Sequence, residues 1–137
     1  MWGGAVYYDP SAYQQLIQAF HNSAVLSPPD EHARVIIATS RSAGRETGVS
    51  NIYYSRPEAA PPSLAPFTAI RRQIFNSLLG FVEEQSTFGT NDVRQLFFTT
   101  SFRLDVQLMS GIRELWLEAL KLVSPSSASR WLSSSSY

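Results

Sequence analysis

Cysteine is absent from the 137 residues, so the chain can form no disulfide and has no thiolate nucleophile or thiolate metal ligand. An excess charge of either sign is also missing, because 11 basic residues balance 11 acidic ones. A neutral chain gives no electrostatic reason to bind nucleic acid or an anionic membrane. The longest apolar runs are far shorter than the roughly 20 residues that cross a bilayer. The first residues lack the basic and apolar regions of a signal peptide, so the localisation stays unknown.

Familiar catalytic and cofactor motifs are missing as well. No glycine-rich phosphate loop occurs, because Gly3 and Gly4 precede a predicted strand instead of opening a helix. No Gly-x-Ser-x-Gly nucleophile elbow occurs among the many serines. His21 and His32 have no carboxylate at ligand spacing, so no metal site is predicted. A binding or catalytic site would therefore have to be formed by a surface that several segments share, because no local motif provides one.

The sequence does contain short strand-like segments and two amphipathic helices. Branched and aromatic residues predict strands over 4–8, 33–39, 49–54 and 94–102. Asp9 is placed to cap a first helix whose first position is Pro10. The apolar residues of that helix recur at helical spacing, at Tyr13, Leu16, Ile17, Phe20 and Ala24.

The second amphipathic helix is predicted over 104–123. Its apolar stripe includes Trp116, which we expect to be buried against the sheet. Between the third and fourth strands the pattern is ambiguous, and a short helix is predicted over 70–79.

This order of elements predicts an α+β fold in which helices pack on one face of an antiparallel sheet. Residues 1–125 would form one substrate-binding domain. Residues 126–137 are serine-rich without strand alternation or helical period, and they are predicted to be a disordered tail. A sheet without a final strand would keep an open edge, and such edges recruit other strands.

Strand alternation assigns side chains to the two faces of the predicted sheet. The helix-covered face would take Ile52, Tyr54, Leu96 and Phe98. The open face would mix aromatic rings with neutral polar groups, a combination that suits an apolar small-molecule substrate. The candidate substrate-binding residues on this face are Asn51, Tyr53, Gln95, Phe97 and Thr99. Another domain or a second copy of the chain could also cover this face.

Several segments, in order, resemble the C-terminal domain of fungal berberine-bridge-type FAD-linked oxidases. They begin with Trp2-Gly3-Gly4-Ala5-Val6-Tyr7-Tyr8 and Ala19-Phe20-His21-Asn22. The others are Val35-Ile36-Ile37-Ala38, Asn51-Ile52-Tyr53-Tyr54-Ser55-Arg56-Pro57, Pro66-Phe67-Thr68-Ala69-Ile70, Asn91-Asp92-Val93-Arg94-Gln95 and Phe102-Arg103-Leu104-Asp105. The resemblance spans about residues 2 to 125.

The resemblance implies an oxidoreductase of secondary metabolite biosynthesis whose first domain binds FAD, often through a histidine and a cysteine. It implies that this chain begins after that domain and lacks the family's last strand, so the chain is truncated. No catalytic or cofactor-binding residue of the family maps onto a position here. We therefore expect no FAD to bind this chain alone.

Three functional interpretations remain open from the sequence. The chain is the substrate-binding part of an FAD-linked oxidase, without redox activity by itself. Alternatively, it is a cofactor-free binder or an isomerase or cyclase that holds a polyketide- or terpenoid-like substrate in a productive conformation. In the third interpretation it is a non-catalytic partner subunit. Possible partners are a second copy or a flavin domain.

Overall fold

A computed structural model describes residues 1–42, 45–80, 101–122 and 130–135 of the chain. Five antiparallel strands form one sheet in the order β4-β1-β3-β2-β5. The strands are β1 (Trp2–Tyr8), β2 (Ala33–Ser42), β3 (Arg45–Tyr54), β4 (Gln73–Gly80) and β5 (Arg130–Ser135). The α-helices are α1 (Tyr13–Ala24), α2 (Ala65–Thr68) and α3 (Val106–Leu122). The predicted α+β class is confirmed.

The three helices pack on one face of the sheet, as the strand alternation predicted. This face contributes Ile52 and Tyr54 to the core, both buried, which confirms their predicted orientation. Leu96 and Phe98 lie outside the described residues. The other members of the core come from β1, β2 and the helices, and include Val6, Tyr8, Leu16, Ile17, Phe20, Val35, Ile37, Phe67 and Met109.

Aspartate side chains mark the start of both long helices. The Ser11 backbone N–H donates to Asp9 Oδ1 at 2.9 Å, and the turn Pro10–Ala12 leads into α1. The Leu108 backbone N–H likewise donates to Asp105 Oδ1 at 2.7 Å at the start of α3. A carboxylate at a helix N-terminus satisfies orphan amides and complements the helix dipole. Asp9 therefore caps the turn Pro10–Ala12, with Pro10 at its first position as predicted, whereas α1 itself begins after Ala12 without a side-chain cap.

An ion pair fixes α3 to the hairpin of β2 and β3. Arg113 donates two hydrogen bonds to Oε1 of Glu46, one of them from Nε at 2.9 Å. Its guanidinium also lies 4.5 Å from the ring centroid of Tyr13 on α1. Both charged side chains are largely removed from solvent, with 15% and 18% of their surfaces exposed. Since each shields the other from water, losing one partner would leave a desolvated charge.

Three sequence predictions differ from the structure. Residues 73–80 form strand β4, paired with β1, where a short helix was predicted over 70–79. Within the predicted disordered tail, Arg130–Ser135 forms β5 and pairs with the edge of β2. Both strands are held by backbone hydrogen bonds, which do not depend on side-chain periodicity. Trp116 is only half-buried and lies outside the core cluster, because α3 turns Met109 and Arg113 toward the sheet.

Gly3 and Gly4 allow β1 to lie between two strands. Their φ angles are +154° and +150°, a region that residues with a side chain rarely adopt. A Cβ on Gly3 would lie 2.1 Å from the Ile52 carbonyl oxygen on β3. On Gly4 it would lie 1.9 Å from the Ser77 carbonyl oxygen on β4. Backbone atoms therefore occupy the space that a side chain at either position would need.

We expect Gly4→Ala to lower the free energy of unfolding by about 3 kcal/mol or more, because strain at φ and the backbone clash add. Gly111→Ala is the matched control, since a Cβ there meets nothing within 4 Å. The control should stabilise the protein by about 0.5–1 kcal/mol through helix propensity. Urea unfolding monitored by circular dichroism measures both changes. Equal stability of the Gly4→Ala protein and the wild type would contradict the close approach of β4.

The hydroxyl of Tyr8 joins three elements inside the core. It lies 2.7 Å from Ser50 Oγ on β3 and donates to the Phe67 carbonyl oxygen of α2 at 3.0 Å. The residue is fully buried. Burial raises the pKa of Tyr8 to about 12, while the hydrogen bond with Ser50 opposes this shift.

The pKa of Tyr8 predicts a loss of stability at alkaline pH. Between pH 10 and 12 the unfolded chain releases the Tyr8 proton while the folded chain retains it, so unfolding becomes more favourable as pH rises. At pH 11 this difference costs about 1.4 kcal/mol relative to pH 9. Urea unfolding of wild type and Tyr8→Phe at both pH values isolates the effect, with Tyr7→Phe controlling for loss of one tyrosine. Parallel pH profiles for wild type and Tyr8→Phe would contradict it.

Candidate functional site: the helix-free face of the sheet

The sheet face opposite the described helices is the candidate site, and we call it the helix-free face. The strand register places Ala5 of β1 between Asn51 of β3 and Ser77 of β4. Two residues further along β1, and on the same face, Tyr7 lies between Val49 of β3 and Phe75 of β4. The remaining members with described side chains are Gly3, Tyr53, Thr47, Arg45, Arg34, Ile36, Ala38 and Ser40. Aromatic rings therefore flank a row of small side chains.

The helix-free face has an apolar centre. Ala5, Ala38 and Val49 are buried there and form a cluster with the partly buried Tyr7. The rings of Tyr7 and Phe75 meet at a centroid distance of 5.9 Å and an interplanar angle of 44°. The side chain of Phe75 is 60% exposed. A ring held on one side and open to solvent on the other offers contact area for a planar apolar molecule.

Two of the five predicted substrate-binding residues lie on this face. Asn51 and Tyr53 are half-buried on β3, two residues apart and on the same side of the strand. The other three, Gln95, Phe97 and Thr99, lie outside the described residues. Asn51 provides an amide that can donate and accept hydrogen bonds beside the apolar centre.

Sequence reasoning did not include Tyr7 and Phe75 among the candidate residues. Tyr7 could have been found, because it alternates with Val6 and Tyr8 in a segment correctly predicted as a strand. Phe75 could not be assigned to a face while residues 70–79 were predicted as helical. The pairing of Tyr7 with Phe75 depends on β4 lying beside β1.

A separate cavity of about 260 Å³ lies on the helix-covered side of the sheet. It is lined by the end of α1, the following loop, the start of β2 and the turn at Ser63 and Leu64. The His32 backbone N–H donates to Asp30 Oδ1 at 3.0 Å on its wall, and the pKa of Asp30 is lowered, first by the neighbouring Ser63 side chain and then by this hydrogen bond. The ionised carboxylate of Asp30 therefore has a structural role, because it holds the loop that forms this wall. No ligand is needed to account for its presence in the cavity.

Metal binding and membrane insertion find no support in the described part of the chain. Its side chains contain no group of three histidine, aspartate or glutamate residues able to hold a metal ion. None of its helices combines the length and the apolar character needed to cross a bilayer.

Comparison with known proteins relates the chain to flavin-dependent oxidoreductases. The chain is 25% identical over 131 residues to the FAD-dependent monooxygenase prx3 of Penicillium roqueforti, and equally to the protein of that name in strain FM164. The match covers 88% of this chain and 26% of the relative. The chain therefore spans about a quarter of the length of the curated relatives that it matches. No protein-family profile and no solved structure matches it.

The described residues do not fit the phosphates of FAD. A pyrophosphate needs glycine-flanked backbone or free amides at a helix N-terminus. Here the space beside Gly3 and Gly4 is filled by carbonyl oxygens of β3 and β4. The turn that leads into α1 and the start of α3 carry the carboxylates of Asp9 and Asp105, which would repel a phosphate. The helix-free face could contact a substrate, but the described residues provide no anchor for the cofactor.

Proposed function

We propose that this chain is the substrate-binding part of an FAD-linked oxidase of the berberine-bridge type that acts in fungal secondary metabolism. The FAD would be held by a domain outside the described residues. The observation that carries the proposal is the helix-free face, with aromatic rings around a small apolar centre and one amide. Similarity to an FAD-dependent monooxygenase along most of this chain supports the same interpretation.

Under this proposal the chain binds and orients the substrate, and the redox step belongs to the cofactor. Tyr7 and Phe75 would contact one side of a planar apolar substrate. Asn51 would hydrogen-bond to a carbonyl or hydroxyl group and so fix the orientation of the substrate.

We expect this chain alone to bind no FAD, because the described residues lack a phosphate site. Titration of FAD with the purified protein, followed by flavin fluorescence, measures the affinity. A dissociation constant of about 1 μM or tighter, which corresponds to roughly −8 kcal/mol, would contradict the account of the cofactor site. Substrate conversion by this flavin-free protein would favour a cofactor-free isomerase or cyclase instead.

A chimera tests the substrate role directly. In it, this chain replaces the matching 131-residue segment of the Penicillium roqueforti monooxygenase. Oxygen consumption with a panel of planar aromatic alcohols reports turnover, and visible absorbance reports the bound FAD. We expect Asn51→Ala and Phe75→Ala to raise KM about tenfold each, equivalent to about 1.4 kcal/mol of substrate binding, with unchanged flavin content.

Asn76→Ala is the matched control for Phe75→Ala. Asn76 is the next residue of β4 and is exposed, but it pairs with Val6, whose side chain lies in the core, so it belongs to the helix-covered face. It should leave KM unchanged. Equal effects of the Asn76 and Phe75 variants would argue against the helix-free face as the substrate surface.

A further inference from the structure

The two faces of the sheet differ in the charges that their strands carry. Glu46 is the only acidic residue in the five described strands, and it lies on the helix-covered face with its partner Arg113. The strand register puts Arg34 and Arg45 on the helix-free face. The described strands therefore place two positive charges and no carboxylate on this face, although the whole chain has a net charge of zero. A surface with charge of one sign attracts ligands of the opposite sign.

The guanidinium of Arg34 is held in place by the turn before β2. Its Nη1 donates to the backbone carbonyl oxygen of Glu31 at 3.0 Å and to that of Ala33 at 2.8 Å. Two bonds from one nitrogen fix the plane of the group, so a ligand that binds it has less side-chain entropy to overcome. The ion pairs found among the described residues do not include Arg34, so its charge has no acidic partner in this part of the chain.

The other edge of the same guanidinium is available to a ligand. No group of the described residues accepts a hydrogen bond from its Nε or Nη2. One N–H of each nitrogen points in the same direction, and together they form the fork that a carboxylate binds with both oxygens. Arg113 uses this same edge to hold Glu46. Arg34 therefore presents the geometry of an ion pair without the acid.

The neighbours of Arg34 on the helix-free face can contact an aromatic ring. Tyr53 lies opposite Arg34 on β3, and Asn51 lies opposite Ile36, the next β2 residue on this face. The Ile36 side chain is 37% exposed. Cross-strand partners lie about 5 Å apart and diagonal ones about 7–8 Å apart between Cβ atoms, so one bicyclic molecule can contact all four residues. We call Arg34, Ile36, Asn51 and Tyr53 the arginine corner.

We propose that the arginine corner binds the carboxylate of an aromatic acid, so that Arg34 makes the helix-free face specific for an anionic substrate. The carboxylate would accept from Nε and Nη2 of Arg34, and the ring would lie on Ile36 and Tyr53. Asn51 would hydrogen-bond to a second polar group of the ligand. The inference rests on the proposed function, because it assigns a substrate class to the surface proposed there.

Equilibrium dialysis of the purified full chain against two ligands of nearly equal shape tests the inference. The ligands are 2-naphthoate and 2-naphthalenemethanol, and ultraviolet absorbance measures their free concentrations. At low ionic strength we expect the acid to bind about five- to tenfold more tightly than the alcohol, since only the acid forms charge-assisted hydrogen bonds. Because salt screens the charge of an exposed group, about 1 M NaCl should reduce this preference to about twofold or less.

Substitutions on the helix-free face separate the role of Arg34 from that of net charge. Arg34→Gln should abolish the preference for the acid and leave the affinity for the alcohol unchanged. Arg34→Lys keeps the charge but not the fork, so we expect it to retain only part of the preference. Arg45→Gln is the matched control, because it removes the same charge from the same face at a position eight residues from Tyr53 along β3, about 27 Å away. It should bind both ligands like wild type.

The possible outcomes distinguish this inference from the proposed function. Equal affinity of the wild type for acid and alcohol would overturn the inference alone, since a neutral substrate could still bind the helix-free face. A preference that persists in Arg34→Gln protein with a wild-type melting temperature, or that Arg45→Gln removes equally, would also overturn it. If neither ligand binds at millimolar concentration, the helix-free face is not a ligand surface, and the proposed function fails together with the inference.

Discussion

Strand β1 lies between β3 and β4, and its path is possible only because two consecutive residues lack side chains. At Gly3 and Gly4 the neighbouring carbonyl oxygens occupy the volume that a Cβ would fill, one from each side of the strand. The pairing of β1 with β3 and the pairing of β1 with β4 therefore both depend on the dipeptide Gly3-Gly4. The residues that follow on β1 supply Val6 and Tyr8 to the core and Ala5 and Tyr7 to the opposite face. Core and candidate site are thus built on one strand.

The contacts on the two faces differ in their chemistry. On the helix-covered side, the hydroxyl of Tyr8 and the pair of Glu46 with Arg113 place polar bonds within an otherwise apolar contact. These bonds join β1, β3, α2 and α3, so they define how the helices sit on the sheet. On the other side, Ala5, Ala38 and Val49 form an apolar cluster, and the rings of Tyr7 and Phe75 meet beside it. The helix-covered face is thus fixed by directional bonds, whereas the substrate contacts of the other face are part of the proposed function.

Much of the fold could be predicted from local patterns. Asp9 and Pro10 indicated the start of α1, helical spacing identified its buried residues, and alternation oriented Ile52 and Tyr54 correctly. Strand β4 was missed because Ile74, Phe75 and Leu78 have the spacing of a helix, while their strand state is set by pairing with distant β1. Strand β5 was missed because serines give no alternation. For the candidate site, composition suggested Asn51 and Tyr53, but the contact between Tyr7 and Phe75 required the tertiary pairing.

The position of β1 between β3 and β4 has a consequence for biosynthesis. Trp2 pairs with Tyr54 and with Gly80, which are made much later during translation. At about 5–20 residues per second, β1 waits roughly 4 to 15 s after synthesis before all of its partner β4 exists. The β2–β3 hairpin, in contrast, closes between adjacent segments. The nascent chain therefore exposes the β4-facing edge of an apolar strand for seconds before that edge can be paired.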